Sequence, residues 1–341
     1  MIIVLKPGIK KSAEQTVLKE IRKLGYTPHV MRGVARTVIG AIGDELTHAN
    51  LETLAGQFPE AVESVLPIQK RYKLVSREAH PANSTIRVRE HVIGGGQFHV
   101  MAGPCSVESE TQLLRTAEAV KAAGATILRG GAFKPRSSPY EFQGLGEKGL
   151  KLLDKARRAT GLAIITELLS EKHVEMVAAY TDIIQIGARN AQNFQLLIAA
   201  ARTGKPILLK RGLSMKIEEW LLAGEYVLSN ENPNLMFCER GIRTFETYTR
   251  NTLDLSAIPI IKHESHCPIV IDPSQGVGRA NLVTAMCQGA VAMGADALLI
   301  EVHPNPAEAW SDGAQQVSLD GFASLMKQLR PFIQAAGRTV G

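Results

Sequence analysis

No apolar run in the 341 residues approaches the roughly 20 consecutive positions that a bilayer-spanning helix needs, so no membrane partner is expected. Disulfide chemistry is equally unsupported. The four cysteines, Cys105, Cys238, Cys267 and Cys287, form no CxxC pair and no framework spacing, which predicts a reducing, cytoplasmic compartment. A basic tail is also missing. The net charge of +6 is spread over scattered Lys and Arg, which argues against a nucleic-acid partner. The opening MIIVLKPGIKKSAEQ puts its apolar run before its charges and has no small-residue cleavage site, so it reads as a first strand and not as a signal peptide.

What is present falls into two rhythms. Up to about residue 70, strand and helix signals alternate: the apolar run Ile2–Leu5, a helical stripe over Ser12–Leu24, β-like runs at His29–Met31 and Thr37–Ile42, a second helix around Leu51–Phe58, and Val62–Leu66. The order βαββαβ is that of a small α+β ferredoxin-like domain. Sheets of this kind bind RNA through exposed aromatics; these strands offer Val, Ile and Ala, so a sensing or oligomerising module is the better reading. Residues 71–97 are mixed and polar, end in three glycines, and read as a linker containing one short strand at Ile86–Val92.

From residue 98 to 341, eight short apolar runs recur with amphipathic helical stretches between them: HVMAG, TILRG, AIITE, IIQIG, PILLK, LMFCE, PIVID and ALLIE. Near-continuous apolar strands separated by helices predict a parallel sheet covered on both faces. Eight units in this length match an α/β fold of the (β/α)8 TIM-barrel type. The doubly wound alternative lacks a G-x-G-x-x-G after its first strand.

Every run closes on a residue capable of chemistry: Cys105 after the first, Arg129 and then Lys134 and Arg136 after the second, and Glu167, Arg189, Lys210-Arg211, Glu239-Arg240, Asp272 and Glu301 after the rest. Polar groups ending every apolar strand are costly unless they face a shared pocket, and in such barrels the C-terminal strand ends converge. Arg129, Lys134, Arg136, Arg189, Lys210 and Arg240 would crowd one mouth with positive charge. Guanidinium forks match phosphate and carboxylate, so substrates carrying several negative groups are expected to compensate them. Salt bridges to the barrel's own helices are the alternative. Cys105, Glu301 and Asp312 form a second set, a thiol and two carboxylates of the kind that binds a divalent transition metal.

The motifs GPCSVES, LRGGAFKPRSSPYEFQGLG, IQIGARNAQNF, LLKRG, CERGIRTFE and EVHPNPAEAWSDG, in this order, resemble 3-deoxy-D-arabino-heptulosonate 7-phosphate (DAHP) synthase. The resemblance covers essentially the whole chain. It is to the type I-beta subgroup, which carries a ferredoxin-like (ACT-like) regulatory domain at its N-terminus. It implies condensation of phosphoenolpyruvate with erythrose 4-phosphate at the start of the shikimate pathway, a divalent metal (Mn, Fe, Zn or Co), an aromatic amino acid effector and a homotetramer. It also implies that phosphoenolpyruvate is held by Arg129, Lys134, Ala188, Arg189, Lys210 and Arg240. Erythrose 4-phosphate falls to Lys134, Pro135, Arg136, Ser137 and Asp272. Cys105, Lys134 and Glu167 would take catalytic roles, the last two by moving protons or orienting water. KPRSS favours this reaction over that of the octulosonate 8-phosphate synthases, whose stretch reads Lys-Ala-Asn-Arg-Ser-Ser.

One position departs from the family. Where its motif ends Asp-Pro-Ser-His, with the histidine a metal ligand, this chain reads Asp272-Pro273-Ser274-Gln275. An amide oxygen is a harder and weaker donor than imidazole and moves no proton near neutral pH. Three readings follow: Gln275 is a poor fourth ligand, the metal is held by three residues with water or with His303, or the chemistry is impaired and the protein binds metabolites without turnover. A sister synthase using another aldose, such as arabinose 5-phosphate, is the remaining alternative. His266 precedes the seventh strand and is no replacement.

Overall fold

A computed structural model describes residues 1–33, 36–43, 51–66, 70–136 and 138–341. Two compact units are present, residues 1–83 with 263–266, and residues 84–262 with 267–341.

In the first unit, strands β1 (Ile2–Leu5), β2 (Thr27–Arg32), β3 (Thr37–Ile42) and β4 (Val62–Leu66) are joined by helices α1 (Lys11–Lys23) and α2 (Leu54–Gln57). The sheet order is β2-β3-β1-β4, with β1 antiparallel to both neighbours, the arrangement of a ferredoxin-like unit. β1 is apolar at every position because it is central and covered on both faces. Ile3 and Leu5 pack with Val17, Leu18 and Ile21 of α1, whereas Ile2 and Val4 point the other way, onto Val38 and Ala79. Arg22 and Lys23 end α1, where cations favour the helix dipole.

The second unit begins with a hairpin, β5 (Ile86–Val88) and β6 (His91–Ile93). Eight parallel strands follow: β7 (Gln97–Gly103), β8 (Ile127–Arg129), β9 (Ala163–Leu168), β10 (Ile183–Ile186), β11 (Ile207–Lys210), β12 (Leu235–Glu239), β13 (Ile269–Ile271) and β14 (Ala297–Glu301). They pair in sequence order, and β14 pairs back onto β7 with Glu301 opposite Gly103, which closes the barrel. The eight apolar runs of the sequence coincide with these strands. A last strand, β15 (Thr339–Val340), adds beside the start of β7.

Part of the stretch expected as a linker is structured. Instead of one strand, it carries the β5–β6 hairpin, whose Ile86, Val88 and Ile93 share one buried cluster with Met101, Ile127, Ile183, Leu208, Met236 and Leu299 of the barrel. Ile86 and Val88 alternate with exposed Arg87 and a turn at Arg89, which takes a left-handed φ of 54°. The charged turn hides in sequence what the alternating face reveals: an apolar plug for the barrel interior. Ile86 has no exposed surface. Ile86→Ala is therefore expected to lower stability by ~2–4 kcal/mol through lost burial and a residual cavity, read as a fall in the denaturation midpoint of the barrel. A loss well under ~1 kcal/mol would contradict the plug.

Candidate active site

The C-terminal ends of the barrel strands open into one cavity of about 220 Å³. Ten of the residues singled out from sequence line it: Lys134, Pro135, Arg136, Glu167, Ala188, Arg189, Lys210, Arg240, Gln275 and Asp312. Arg129, Cys105, Asp272 and Glu301 lie buried outside that lining. Ser137 lies outside the described residues.

Local backbone explains how these groups come together. Gly103, at the end of β7, has a φ of 153°, and a Cβ there would stand 2.1 Å from the carbonyl oxygen of Arg129. Only glycine lets β7 and β8 end this close, and the turn that follows delivers Cys105. Gly187, after β10, would carry a Cβ 1.9 Å from Oε1 of Glu167, so its missing side chain is the room that Glu167 occupies. The Asp272 carboxylate caps the short helix α9 (Pro273–Val277) by accepting the backbone N–H of Gln275 at 2.9 Å. In chain order, α3 to α8 are the helices at Glu110–Ala123, Glu147–Thr160, Val174–Tyr180, Phe194–Ala201, Ile217–Leu228 and Ala257–Glu264.

The expected crowding of cations is partly relieved inside the protein. Arg129 donates to Glu301 at 3.1 Å, Lys210 to Asp272 at 2.6 Å, and Arg211 to Glu239 at 2.9 Å and Asp254 at 2.8 Å. All of these groups except the half-buried Asp254 are almost fully buried, where breaking either partner would strand an uncompensated charge. Arg129, Lys210 and Arg211 are thus neutralised within the protein, though by carboxylates at strand ends and in a loop and not by the barrel's helices as the alternative had it. Lys134, Arg189, Arg240 and Arg243 have no ion-pair partner among the described residues. Burial pulls the pKa of Arg240 below the usual arginine value, with Asp272 opposing it. For Lys134 burial works against the charge, the Cys105 sulfur once deprotonated and Glu301 oppose it, and the pKa lies above the ordinary lysine value. The Nε of Arg136 is buried with no partner among the described residues. The cavity lining holds seven basic side chains against two carboxylates, Glu167 and Asp312.

Two of the seven, Arg243 and Arg250, were not read from the sequence, nor were Gln315 and Gln316. Arg250 pairs with Asp312 at 3.1 Å and donates to Gln315 at 2.8 Å. Gln315 in turn donates to Glu301 at 2.7 Å, and Gln316 accepts the backbone N–H of Cys105 at 3.1 Å. The arginines sit in the loop between β12 and α8, outside any strand end. Their signal is a loop, GIRTFETYTRNTLD, holding two arginines directly after a chemistry-bearing strand.

Cys105, Glu301 and Asp312 form one group, with ligand atoms within 4.8 Å of one another. Burial pushes the Cys105 thiol up to about 11, and Glu301 adds to the effect. Burial would raise Asp312 as well, but Arg250 and Lys134, with the Cys105 hydrogen bond and Arg136, together outweigh it, and the carboxyl lies below its ordinary range. A buried thiol and two carboxylates suit a divalent transition metal, whose charge would draw the proton from sulfur. These three residues could hold such an ion. Gln275 turns elsewhere: its amide oxygen accepts from Arg240 Nε and Nη2 at 3.3 Å each, and from Lys210 at a longer 3.4 Å. His303 is also engaged, with Nε2 3.2 Å from Glu108 and Nδ1 accepting the backbone N–H of Asn305 at 3.1 Å.

Comparison with known proteins agrees over the full length. The sequence pattern of the DAHP synthetase I family matches residues 75–335, and that of the DAHP synthase ferredoxin-like domain matches residues 1–70. A phospho-2-dehydro-3-deoxyheptonate aldolase of Thermotoga maritima is 48% identical over 339 residues, 99% of each chain. The crystal structure of a DAHP synthase from Thermotoga maritima superposes with a TM-score of 0.79 at 47% identity, covering 100% of this chain and 99% of that one. A 2-dehydro-3-deoxyphosphooctonate aldolase of Syntrophotalea carbinolica is 32% identical over 264 residues, 72% of this chain and 94% of its own. With matching barrel, matching N-terminal domain and a cation-lined cavity at the strand ends, this chain belongs to the DAHP synthetase I family.

Proposed function

We propose that the protein condenses phosphoenolpyruvate with erythrose 4-phosphate and water, giving 3-deoxy-D-arabino-heptulosonate 7-phosphate and inorganic phosphate. The observation that carries this reading is the imbalance of the cavity, seven basic side chains against two acidic ones, four of the basic ones without an ion-pair partner among the described residues. Two phosphates and a carboxylate are the complement of such a site.

The reaction joins C3 of phosphoenolpyruvate to the aldehyde carbon, adds water at C2, and breaks the C2–O bond so that phosphate leaves. We assign the phosphoenolpyruvate end to Arg189, Lys210 and Arg240, with Lys134 beside them, and the aldose phosphate to Arg136 in the Lys134-Pro135-Arg136-Ser137 stretch. Holding two anions at attack distance is itself unfavourable, and fixed cations screen that repulsion while orienting both partners. Glu167, which faces the cavity through the space left by Gly187, is assigned the orienting of the attacking water. Lys134, protonated in its buried place, is assigned the donation of a proton to the new alkoxide.

A divalent metal held by Cys105, Glu301 and Asp312 would supply Lewis-acid polarisation of the aldehyde oxygen. Because the Cys105 thiol is raised to about 11, it is protonated throughout the neutral range and must lose one proton when it ligates. Metal affinity is accordingly expected to rise about tenfold per pH unit between roughly pH 6.5 and 8.5. Equilibrium dialysis with Mn²⁺ at three pH values checks this. Cys105→Ser should weaken binding and flatten the slope, and a pH-independent affinity in the parent protein would exclude Cys105 as ligand.

We further infer that the ferredoxin-like domain senses an aromatic amino acid end product. The test is one assay of phosphate release. With Mn²⁺, phosphoenolpyruvate and erythrose 4-phosphate, turnover on the order of 1 s⁻¹ or faster is expected, with arabinose 5-phosphate giving far less. Arg189→Ala should lower kcat/KM by about a hundredfold or more. Deleting residues 1–70 should abolish inhibition by tyrosine or phenylalanine while turnover persists. Equal turnover with the five-carbon aldose would favour the sister synthase, and inhibition surviving the deletion would place the effector elsewhere.

A further inference from the structure

Gln275 occupies the position at which the family resemblance leads one to expect a histidine ligand, yet its acceptor is committed to other partners. The amide oxygen has two lone pairs and receives three cationic donors: Arg240 through Nε and Nη2, both at 3.3 Å, and Lys210 through Nζ at 3.4 Å. To ligate a metal it would have to release a guanidinium that has no other side-chain acceptor among the described residues. Among the described residues Arg240 otherwise reaches only the carbonyl of Gly241, at 3.2 Å. The backbone of Gln275 is pinned as well: its N–H is bound by the Asp272 cap, and its carbonyl accepts from Asn251 at 2.9 Å. Asp272 also pairs with Lys210, so one short helix end organises both cations. The acceptor is also neutral. A carboxylate at this position would cancel part of the charge of Arg240 and Lys210. An amide fixes the guanidinium in place and leaves its charge for an incoming anion.

We propose that Gln275 is a positioning residue of the anion site, orienting Arg240 and Lys210 for phosphoenolpyruvate, and that the metal is held by Cys105, Glu301 and Asp312 without it. This rests on the reaction proposed above. It separates two functions that a histidine would place on the metal side, and it makes the metal centre of this chain a three-residue site.

The test uses full-length protein stripped of metal with chelator, and two independent titrations, Mn²⁺ by equilibrium dialysis and phosphoenolpyruvate by calorimetry in the absence of metal. For Gln275→Ala the Kd for Mn²⁺ should stay within about threefold of the parent. The Kd for phosphoenolpyruvate should rise by about tenfold, the loss expected when a partly buried charge-assisted contact is left to reorganise. In turnover, KM for phosphoenolpyruvate should rise while KM for the aldose stays put. Gln275→Glu, nearly isosteric and able to fold where alanine leaves a gap, gives opposite outcomes for the two roles. As a positioning residue it weakens phosphoenolpyruvate binding by partial neutralisation and leaves Mn²⁺ affinity unchanged, whereas at a metal-ligand position it tightens Mn²⁺. Mn²⁺ binding weakened tenfold or more by alanine, or tightened by glutamate, would overturn the proposal, as would unchanged phosphoenolpyruvate binding in both variants. A parent protein that binds Mn²⁺ but not phosphoenolpyruvate would instead bring down the proposed reaction, and with it the ligand assigned to Arg240 and Lys210.

Discussion

Like charges held close together in a cavity with few counter-charges must be compensated by something, and this constraint organises the mouth of the barrel. Part of the compensation is built in. Arg129 with Glu301, Lys210 with Asp272, and Arg211 with Glu239 and Asp254 tie the ends of strands two, five, six, seven and eight to one another or to the following loop. Such pairs offset their own desolvation only when both partners are present, so they fix geometry more than they add stability. The remaining cations, Lys134, Arg189, Arg240 and Arg243, are left for ligands. A site of this kind is pre-organised for anions and disfavoured while empty, which is how fixed charge is turned into binding and orientation.

The same economy explains the polar network beside the thiol. Ser106 and Ser311 meet at 2.6 Å, Gln316 accepts from the backbone of Cys105, and Gln315 links Arg250 to Glu301. The loops after the first and the eighth strands are thereby locked together, and Cys105 and Asp312 ride on those loops. Two residues far apart in sequence reach a common point because the barrel closes between β14 and β7, and the glutamines remove the slack that two free loops would leave.

Much of this was legible in the residues. Eight apolar runs, each closed by a polar side chain, are a pattern that buried parallel strands impose, and the strands lie where those runs lie. The cavity-facing cations at strand ends followed from the same pattern. Three things were not legible. The hairpin at Ile86–Ile93 was hidden by the charged residues of its turn, since its apolar face is only three side chains wide. Arg243 and Arg250 come from a loop, where no period marks which side chains turn inward. The allegiance of Gln275 depended on where its amide points. A residue type names possible donors and acceptors, but competition among Arg240, Lys210 and a metal for one oxygen is decided only by distance.

The central claim is that the cavity-facing cations of the strand ends are the seat of phosphoenolpyruvate. Its most direct test is a crystal structure of the protein grown with phosphoenolpyruvate and without aldose. The phosphate and carboxylate oxygens are expected within hydrogen-bonding distance, about 2.7–3.2 Å, of Arg189, Lys210 and Arg240, with the guanidinium of Arg240 still held by Gln275. Phosphoenolpyruvate bound elsewhere, with these three side chains touching only solvent, would contradict it.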